Sequence, residues 1–274
     1  MSFPNFIVIG AAKSGTTSLW YYLDNHPEVY MSPIKETNYF AHDLMTSTQE
    51  INSMELYKGL FDNSDAYIAR GEVSNIYLTY ADKVAERIKQ SIPECKIVVI
   101  LRSPVDRLYS RYWHVLRDSY TSESFESFAN RARKIEILSN KIKVYISKFG
   151  EMNLKIIFLE DIENNWNVFA GELFPFLGVS IPEKIDKRLN VSGTTKSRFI
   201  NNYIIKGPAW VRAPAKIFKP KIRASIRTYI QKLNTKEKPS IDLKIKTSLL
   251  DYYEDEIKEI HRIAGRVPSN WLKN

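Results

Sequence analysis

The sequence predicts an α/β fold with a central parallel sheet and helices on both faces. Three observations predict it. Short apolar, β-branched runs at 6–9, 96–101 and 154–159 read as buried strands. Segments of helical spacing follow each of them, which favours βαβ units. Between the first run and the first helix, Gly10 and Gly15 frame a loop of small residues.

Taken in order, 6–9 is the first strand and 16–25 the first helix, stopped near His26 and Pro27 because proline cannot continue a helix. A second short strand is expected over 28–31, bounded by Pro33. Val84, Ala85 and Ile88 place a helix over 80–90. The run 96–101 is the clearest buried strand, and Ser103 with Pro104 starts the next helix as N-cap and first-turn proline. Asp106, three residues after the serine, completes a capping-box variant. Val105, Leu108, Tyr112, Val115 and Leu116 form the apolar stripe of that helix. One further helix is expected over 125–149, then a strand over 154–159. Helices over 164–177 and 241–263 follow, with Pro175 breaking the end of the first.

Length and composition fit one α/β domain covering 1–274. The chain has 274 residues, 44% apolar and 26% charged, which excludes a disordered or coiled-coil chain. The single Cys95 excludes an intramolecular disulfide and a cysteine-based zinc site. No apolar run is long enough to span a membrane, and no basic leader precedes the first strand, so a cytoplasmic protein is expected. Forty basic and thirty-one acidic residues leave a net charge of +9. Residues 206–238 carry ten Lys and Arg against one acid, while 240–274 carry six of each. With four prolines, 206–239 reads as a basic covering segment rather than a separate domain. Its charge points to an anionic partner, a glycan or a membrane surface, against the plain alternative of a solvated basic face. No nucleic-acid motif accompanies the charge, so no nucleic acid is expected.

The loop carries the chemistry. Gly10 and Gly15 let the backbone turn tightly and expose amides at a helix N-terminus, a nest for a phosphate-like anion. Lys13, Ser14, Thr16, Thr17 and Ser18 add donors around the same point. The loop is P-loop-like without being an ordinary nucleotidase loop. Lysine should follow the second glycine, whereas here Thr16 and Thr17 follow it and Lys13 precedes it. Moreover, the strand 96–101 ends in Arg102, where a nucleotidase needs an aspartate for magnesium. An arginine binds an anion directly through its planar fork of donors.

These residues resemble the sulfotransferases that use 3′-phosphoadenosine 5′-phosphosulfate (PAPS), nearer the branch that modifies carbohydrates and heparan sulfate. Their 5′-phosphosulfate loop is similar to Ala12, Lys13, Ser14, Gly15, Thr16, Thr17, Ser18 and Leu19. Their 3′-phosphate site has an arginine at a strand end and a serine eight residues on, as Arg102 and Ser110 stand here. The resemblance implies that Lys196 and Arg198, in a late loop within 184–200, also reach the 3′-phosphate. It implies that Glu160 and Asp161 are mainly structural. Ser18 stands where the branch acting on small hydroxyl compounds has an adenine-stacking tryptophan.

Transfer of a sulfuryl group to an alcohol needs a base for the hydroxyl proton. The small-molecule branch uses a histidine upstream of the arginine strand, and no histidine lies between His42 and His114. The carbohydrate branch uses a glutamate in a Lys-Glu setting, which Lys35, Glu36, Tyr39 and Phe40 match. The resemblance makes Glu36 the base and Lys35 a contact to the sulfuryl group or acceptor, with Glu72, also on the substrate side, the reserve candidate for the base. Glu72 belongs to a segment similar to the family's Glu-Lys-Thr/Ser-Pro stretch, with Val73 in place of the lysine. The expected activity is sulfuryl transfer from PAPS to a carbohydrate hydroxyl, releasing adenosine 3′,5′-bisphosphate, with no metal required. The alternatives are a lipid, polyketide or other small-molecule alcohol as acceptor, an atypical P-loop kinase, and a non-catalytic anion-binding module.

Overall fold

A computed structural model of the chain describes residues 3–47, 49–118, 123–183, 193–195 and 235–272. Its centre is a five-stranded sheet in the order β2-β3-β1-β4-β5, from β1 (Phe6–Val8), β2 (Val29–Met31), β3 (Ala69–Val73), β4 (Lys96–Leu101) and β5 (Leu154–Phe158). Every pair within it is parallel. The helices in chain order are α1 (Thr16–Asp24), α2 (Met54–Gly59), α3 (Ile76–Thr79), α4 (Ala81–Ser91), α5 (Pro104–Asp118), α6 (Phe125–Ala132), α7 (Ser139–Phe149), α8 (Leu159–Asn164), α9 (Trp166–Leu177), α10 (Leu243–Tyr252) and α11 (Glu254–Ala264). A two-stranded antiparallel pair joins β6 (Gly193–Thr195) to β7 (Thr235–Glu237). Residues 206–234 of the basic segment lie outside the described residues.

β1, β4 and β5 are largely apolar on both faces because both faces are covered. Side chains alternate along a strand, so each strand feeds two cores. Ile7, Ile97, Val99, Ile156 and Phe158 pack on one side with residues of α3 to α7, α10 and α11. Phe6, Val8, Val98, Ile100 and Ile157 pack on the other with α1, α8 and α9. Gly71 of β3 lets the Phe6 ring lie across it, since a Cβ there would stand 2.2 Å from Phe6 Cζ.

Four expectations need correction. The helix expected over 125–149 is two, with a 3₁₀ turn Arg133–Glu136 between α6 and α7. A buried ion cluster breaks it. Glu136 accepts from Arg107 Nε, and its Oε1 accepts from Arg111 Nε at 2.7 Å, with both Glu136 and Arg107 buried. The new helix start is capped from a distance, because Glu256 Oε1 accepts from the amides of Leu138 and Ser139 at 2.7 and 2.9 Å. Likewise, 241–263 is two helices, α10 and α11, meeting at Tyr253, whose buried hydroxyl donates to the Arg133 carbonyl at 2.9 Å. Pro175 does not end α9. The helix runs to Leu177, and Gly178, in the left-handed conformation, closes it with its amide on the Phe174 and Pro175 carbonyls. Finally, the Ser103 amide goes to Glu160 Oε1 at 3.0 Å rather than back to Asp106, so the capping box is replaced by a long-range carboxylate.

The Arg107–Glu136 pair yields a stability prediction. Removing one partner of a buried ion pair leaves the other uncompensated, at a cost of about 3–5 kcal/mol. Glu136→Ala is expected to lower the urea unfolding free energy by that amount, whereas the exposed Lys258→Ala, which breaks the surface pair with Glu254, is expected to cost less than about 1 kcal/mol.

Candidate functional site

The site lies at the carboxyl edge of the sheet, where the strand order reverses around β1. Crevices at such switch points hold ligands in open α/β sheets. Pairing with β4 continues past the end of β1. The Ile9 amide donates to the Val98 carbonyl at 3.0 Å, and Ala11 donates to Ile100 at 2.8 Å, while Ile100 donates back to Gly10 at 2.8 Å. Two residues beyond the Ala11–Ile100 bond stand Lys13 in the loop after β1 and Arg102 just past the end of β4. The anion loop and the arginine therefore leave adjacent strands at one edge.

The loop closes on itself with Ser14 N–H donating to the Ala11 carbonyl at 3.2 Å. Lys13 has φ +68° and Gly15 φ +87°. A side chain at Gly15 would clash, because its Cβ would meet Leu159 Cδ1 at 2.5 Å. Gly15 is the N-cap of α1 and no side chain among the described residues caps that helix, whose first internal bond runs from Leu19 to the Gly15 carbonyl. The amides of Thr16, Thr17 and Ser18 are thus the unpaired donors of a helix start. Ser14 is buried, and its Oγ has no hydrogen-bond partner among the described residues. Buried polar atoms ordinarily find a partner. An orphan hydroxyl beside open helix amides and a lysine makes a cradle for a tetrahedral anion.

On the neighbouring strand, Arg102 is half-buried and Ser110 is buried two turns into α5. Behind them stands Glu160, which sequence reasoning took as mainly structural. Its Oε1 accepts from the Ser103 amide at 3.0 Å and from Trp271 Nε1 at 2.8 Å. Burial pushes the Glu160 carboxyl up, opposed by the Ser103 amide, Trp271 and the charge of Arg102. Its place is a brace that ties the turn after β4 to the C-terminal Trp271.

The third part comes from the loop after β2. Its Ser32 amide donates to Gly71 at 2.8 Å and its Glu36 amide to Val73 at 2.9 Å, so the loop follows β3 to the same edge. Glu36 has φ +62° and Asn38 φ +54°. Both Glu36 oxygens are held. Oε1 accepts from Asn75 Nδ2 at 2.6 Å and Lys35 Nζ at 2.7 Å, and Oε2 accepts from the Asn75 amide at 2.8 Å. The pair remains reachable, with side chains 24% exposed for Lys35 and 33% for Glu36. Asn75 also packs on the anion loop, its carbonyl lying 3.3 Å from where a Gly10 Cβ would be.

The structure thus gathers Lys13, Ser14, Gly15, Thr16, Thr17 and Ser18, then Arg102 with Ser110, then Lys35 with Glu36, around three neighbouring strand ends. Glu72 is not brought to the surface. It is 0% exposed, on the β3 face opposite Val73, with Tyr57 and Tyr77. Lys196 and Arg198 lie outside the described residues. Among the described residues no group of three or more His, Cys, Asp or Glu is placed to hold a metal, and no helix is long and apolar enough to cross a membrane. Asn75 is the member that sequence reasoning missed. It lies 39 positions from Glu36, and its one local signal is an amide side chain just past the end of a strand.

Similarity to known proteins runs along the same chain. The bifunctional heparan sulfate N-deacetylase/N-sulfotransferase 1 of Homo sapiens is 23% identical over 290 residues, covering 99% of this chain and 31% of that protein. The membrane-associated sulfotransferase kil1 of Dictyostelium discoideum is 35% identical over 112 residues, covering 40% of this chain and 22% of that protein. The chain therefore spans about a third or less of the length of these relatives. Among solved structures, a sulfotransferase from Alicyclobacillus acidocaldarius shares the fold with a TM-score of 0.69 at 23% identity, covering 99% of both chains. The family model described as sulfotransferase domain matches residues 3–236, from the first strand through the anion loop, the Lys35–Glu36 pair and the Arg102 strand end, and the chain belongs to that family.

Proposed function

We propose that this protein is one sulfotransferase domain that moves a sulfuryl group from PAPS to a carbohydrate hydroxyl. The observation that carries the reading is the pairing of β1 with β4, which sets the Lys13 loop and Arg102 at adjacent strand ends. PAPS is anionic at both ends, and the residues fit it. The orphan Ser14 hydroxyl, the open amides of α1 and Lys13 suit the 5′-phosphosulfate, and Arg102 with Ser110 suits the 3′-phosphate. Lys196, Arg198 and the basic charge of 206–238 would add to the hold on donor and acidic acceptor.

In the transfer, the acceptor oxygen forms a bond to sulfur as the bond from sulfur to the bridging phosphate oxygen breaks. Glu36 takes the hydroxyl proton, and Lys35 contacts the sulfuryl oxygens or the acceptor. Lys13, Thr16, Thr17 and the loop amides meet the charge that builds on the departing phosphate. Such catalysis rests on alignment and on fixed dipoles aimed at developing charge. A glycan acceptor is supported by the Lys35–Glu36 pair and by similarity to relatives named as heparan sulfate and carbohydrate sulfotransferases, such as carbohydrate sulfotransferase 15 of Mus musculus, 24% identical over 277 residues.

Donor class is read by thermal shift. A ligand stabilises according to its concentration over Kd, so adenosine 3′,5′-bisphosphate is expected to raise Tm more than ATP, 5′-AMP or NAD. A larger shift with ATP and magnesium would favour the kinase reading instead. Arg102→Ala is expected to weaken adenosine 3′,5′-bisphosphate about tenfold or more, as loss of a charge-assisted bond does, with 5′-AMP little changed. Equal losses would remove the 3′-phosphate site.

Turnover tests the remaining roles, read as transfer from labelled PAPS to desulfated heparan oligosaccharides. Glu36→Gln is expected to lower kcat by ~10²–10⁴ while retaining adenosine 3′,5′-bisphosphate binding. Lys13→Ala is expected to lower both. A wild-type rate in either variant would take that residue out of the reaction.

A further inference from the structure

Glu72 is a fully buried carboxylate that the reaction above does not use. Burial pushes its carboxyl up, and hydrogen bonds from hydroxyls oppose the shift. Four hydroxyls surround it. Thr37 Oγ1 and Ser74 Oγ donate to Oε2 at 2.5 and 2.8 Å, and Tyr57 and Tyr77 donate to Oε1 at 2.9 Å each.

Three of these hydroxyls face two ways. A hydroxyl that donates its only hydrogen to a carboxylate keeps its lone pairs for other donors. Ser74 Oγ accepts the Asn38 amide at 3.0 Å, Tyr77 Oη accepts the Phe40 amide at 3.2 Å, and Thr37 Oγ1 lies 3.5 Å from the Tyr39 amide. The carboxylate therefore orients three hydroxyls onto consecutive amides of the turn that begins at Glu36. That turn holds two side-chain-bearing residues, Glu36 and Asn38, in the left-handed region, a conformation that persists only where its surroundings over-determine it. Thr37 follows Glu36 in the chain and Ser74 precedes Asn75, so a single oxygen of Glu72 ties together the two segments whose side chains meet at the site.

We propose that Glu72 is a positioning residue for Glu36. Through Thr37, Ser74 and Tyr77 it fixes the strained turn on the end of β3 and keeps the Glu36 carboxylate on the Asn75 donors. The proposal rests on Glu36 being the base, and it is read by a signal that does not need turnover. The Asn75 amide is bonded to Glu36 Oε2, so its hydrogen exchange reports whether Glu36 is in place. The Leu78 amide, bonded to the Ile9 carbonyl, reports general loosening nearby.

The test measures amide exchange by NMR in Glu72→Gln, Ser74→Ala, Thr37→Val and Tyr57→Phe. Ser74→Ala and Thr37→Val keep the buried carboxylate and stand in should Glu72→Gln fail to fold. In each, exchange at Asn75 and Asn38 is expected to speed up about tenfold, the worth of one lost hydrogen bond, with Leu78 unchanged. Their kcat should fall with KM for PAPS unchanged. Tyr57→Phe removes a bond to Oε1 that reaches no amide of the turn, and it should leave Asn75 exchange at the wild-type rate. Unchanged Asn75 exchange in Ser74→Ala and Thr37→Val, or equal acceleration at Leu78, overturns the proposal. Full activity in Glu36→Gln instead overturns the role of Glu36 as base, and the exchange data would still decide whether Glu72 positions it.

Discussion

Everything at the site depends on β1 being held in parallel register between β3 and β4. Phe6 pairs with Gly71 on one side and Lys96 on the other, and Val8 pairs with Val73 and Val98. A slip of one residue would turn Ile7 and Ile9 from one core to the other and carry Lys13 to the wrong side of the edge. The register is guarded by shape as well as by hydrogen bonds. The Phe6 ring lies where any side chain at position 71 would be, so β3 accepts β1 at the one level where its glycine stands. The strand ends of β1 and β3 then finish level, with β4 running on beside the anion loop to Leu101, so the loops leaving them are neighbours.

The same edge is where backbone strain collects. Among the described residues, the non-glycine positions with φ in the left-handed region are Lys13, Glu36 and Asn38. Each such residue costs of order 1–3 kcal/mol. All three belong to the two loops that meet at the site, and two of them, Lys13 and Glu36, are the residues proposed for charge neutralisation and proton removal. The structure shows what offsets the strain in one loop: the Glu36 amide on Val73, its carboxylate on Asn75 and Lys35, and the Asn38 amide on Ser74. For the Lys13 loop, the orphan Ser14 hydroxyl and the uncapped helix start are groups that an anion would complete.

How much of this was legible in the sequence follows from how local each feature is. The strands 6–9 and 96–101 and the loop between Gly10 and Gly15 could be read because apolar runs, β-branching and glycine spacing act over a few residues. Arg102 could be read because a strand end is a local event. Asn75 could not, since its meaning lies in Glu36, brought to it by two strands pairing. Glu160 was read as structural, but its partners Ser103 and Trp271 lie 57 and 111 positions away. The break of the helix expected over 125–149 was hidden for the same reason. Helical spacing continues through it, and only Arg107 and Arg111 from α5, with Glu256 from α11, make it better to stop and restart.

Glu36 and Glu72 show how one fold gives two carboxylates different environments. Both sit at the end of β3, and the family's pattern alone made either a candidate for contact with substrate. Strand alternation separates them. Arg70 and Glu72 fall on the face opposite Ala69 and Val73, and at position 72 that face is closed by Tyr57 and Tyr77, so Glu72 offers no surface to an acceptor. Glu36 lies off the strand, a third exposed, with charged and amide donors instead of hydroxyls. Environments that differ this much mark separate roles. A base must exchange its proton with the outside after each turnover, so the exposed Glu36 carboxylate suits the proposed proton removal, and the buried Glu72 suits the proposed holding of the turn.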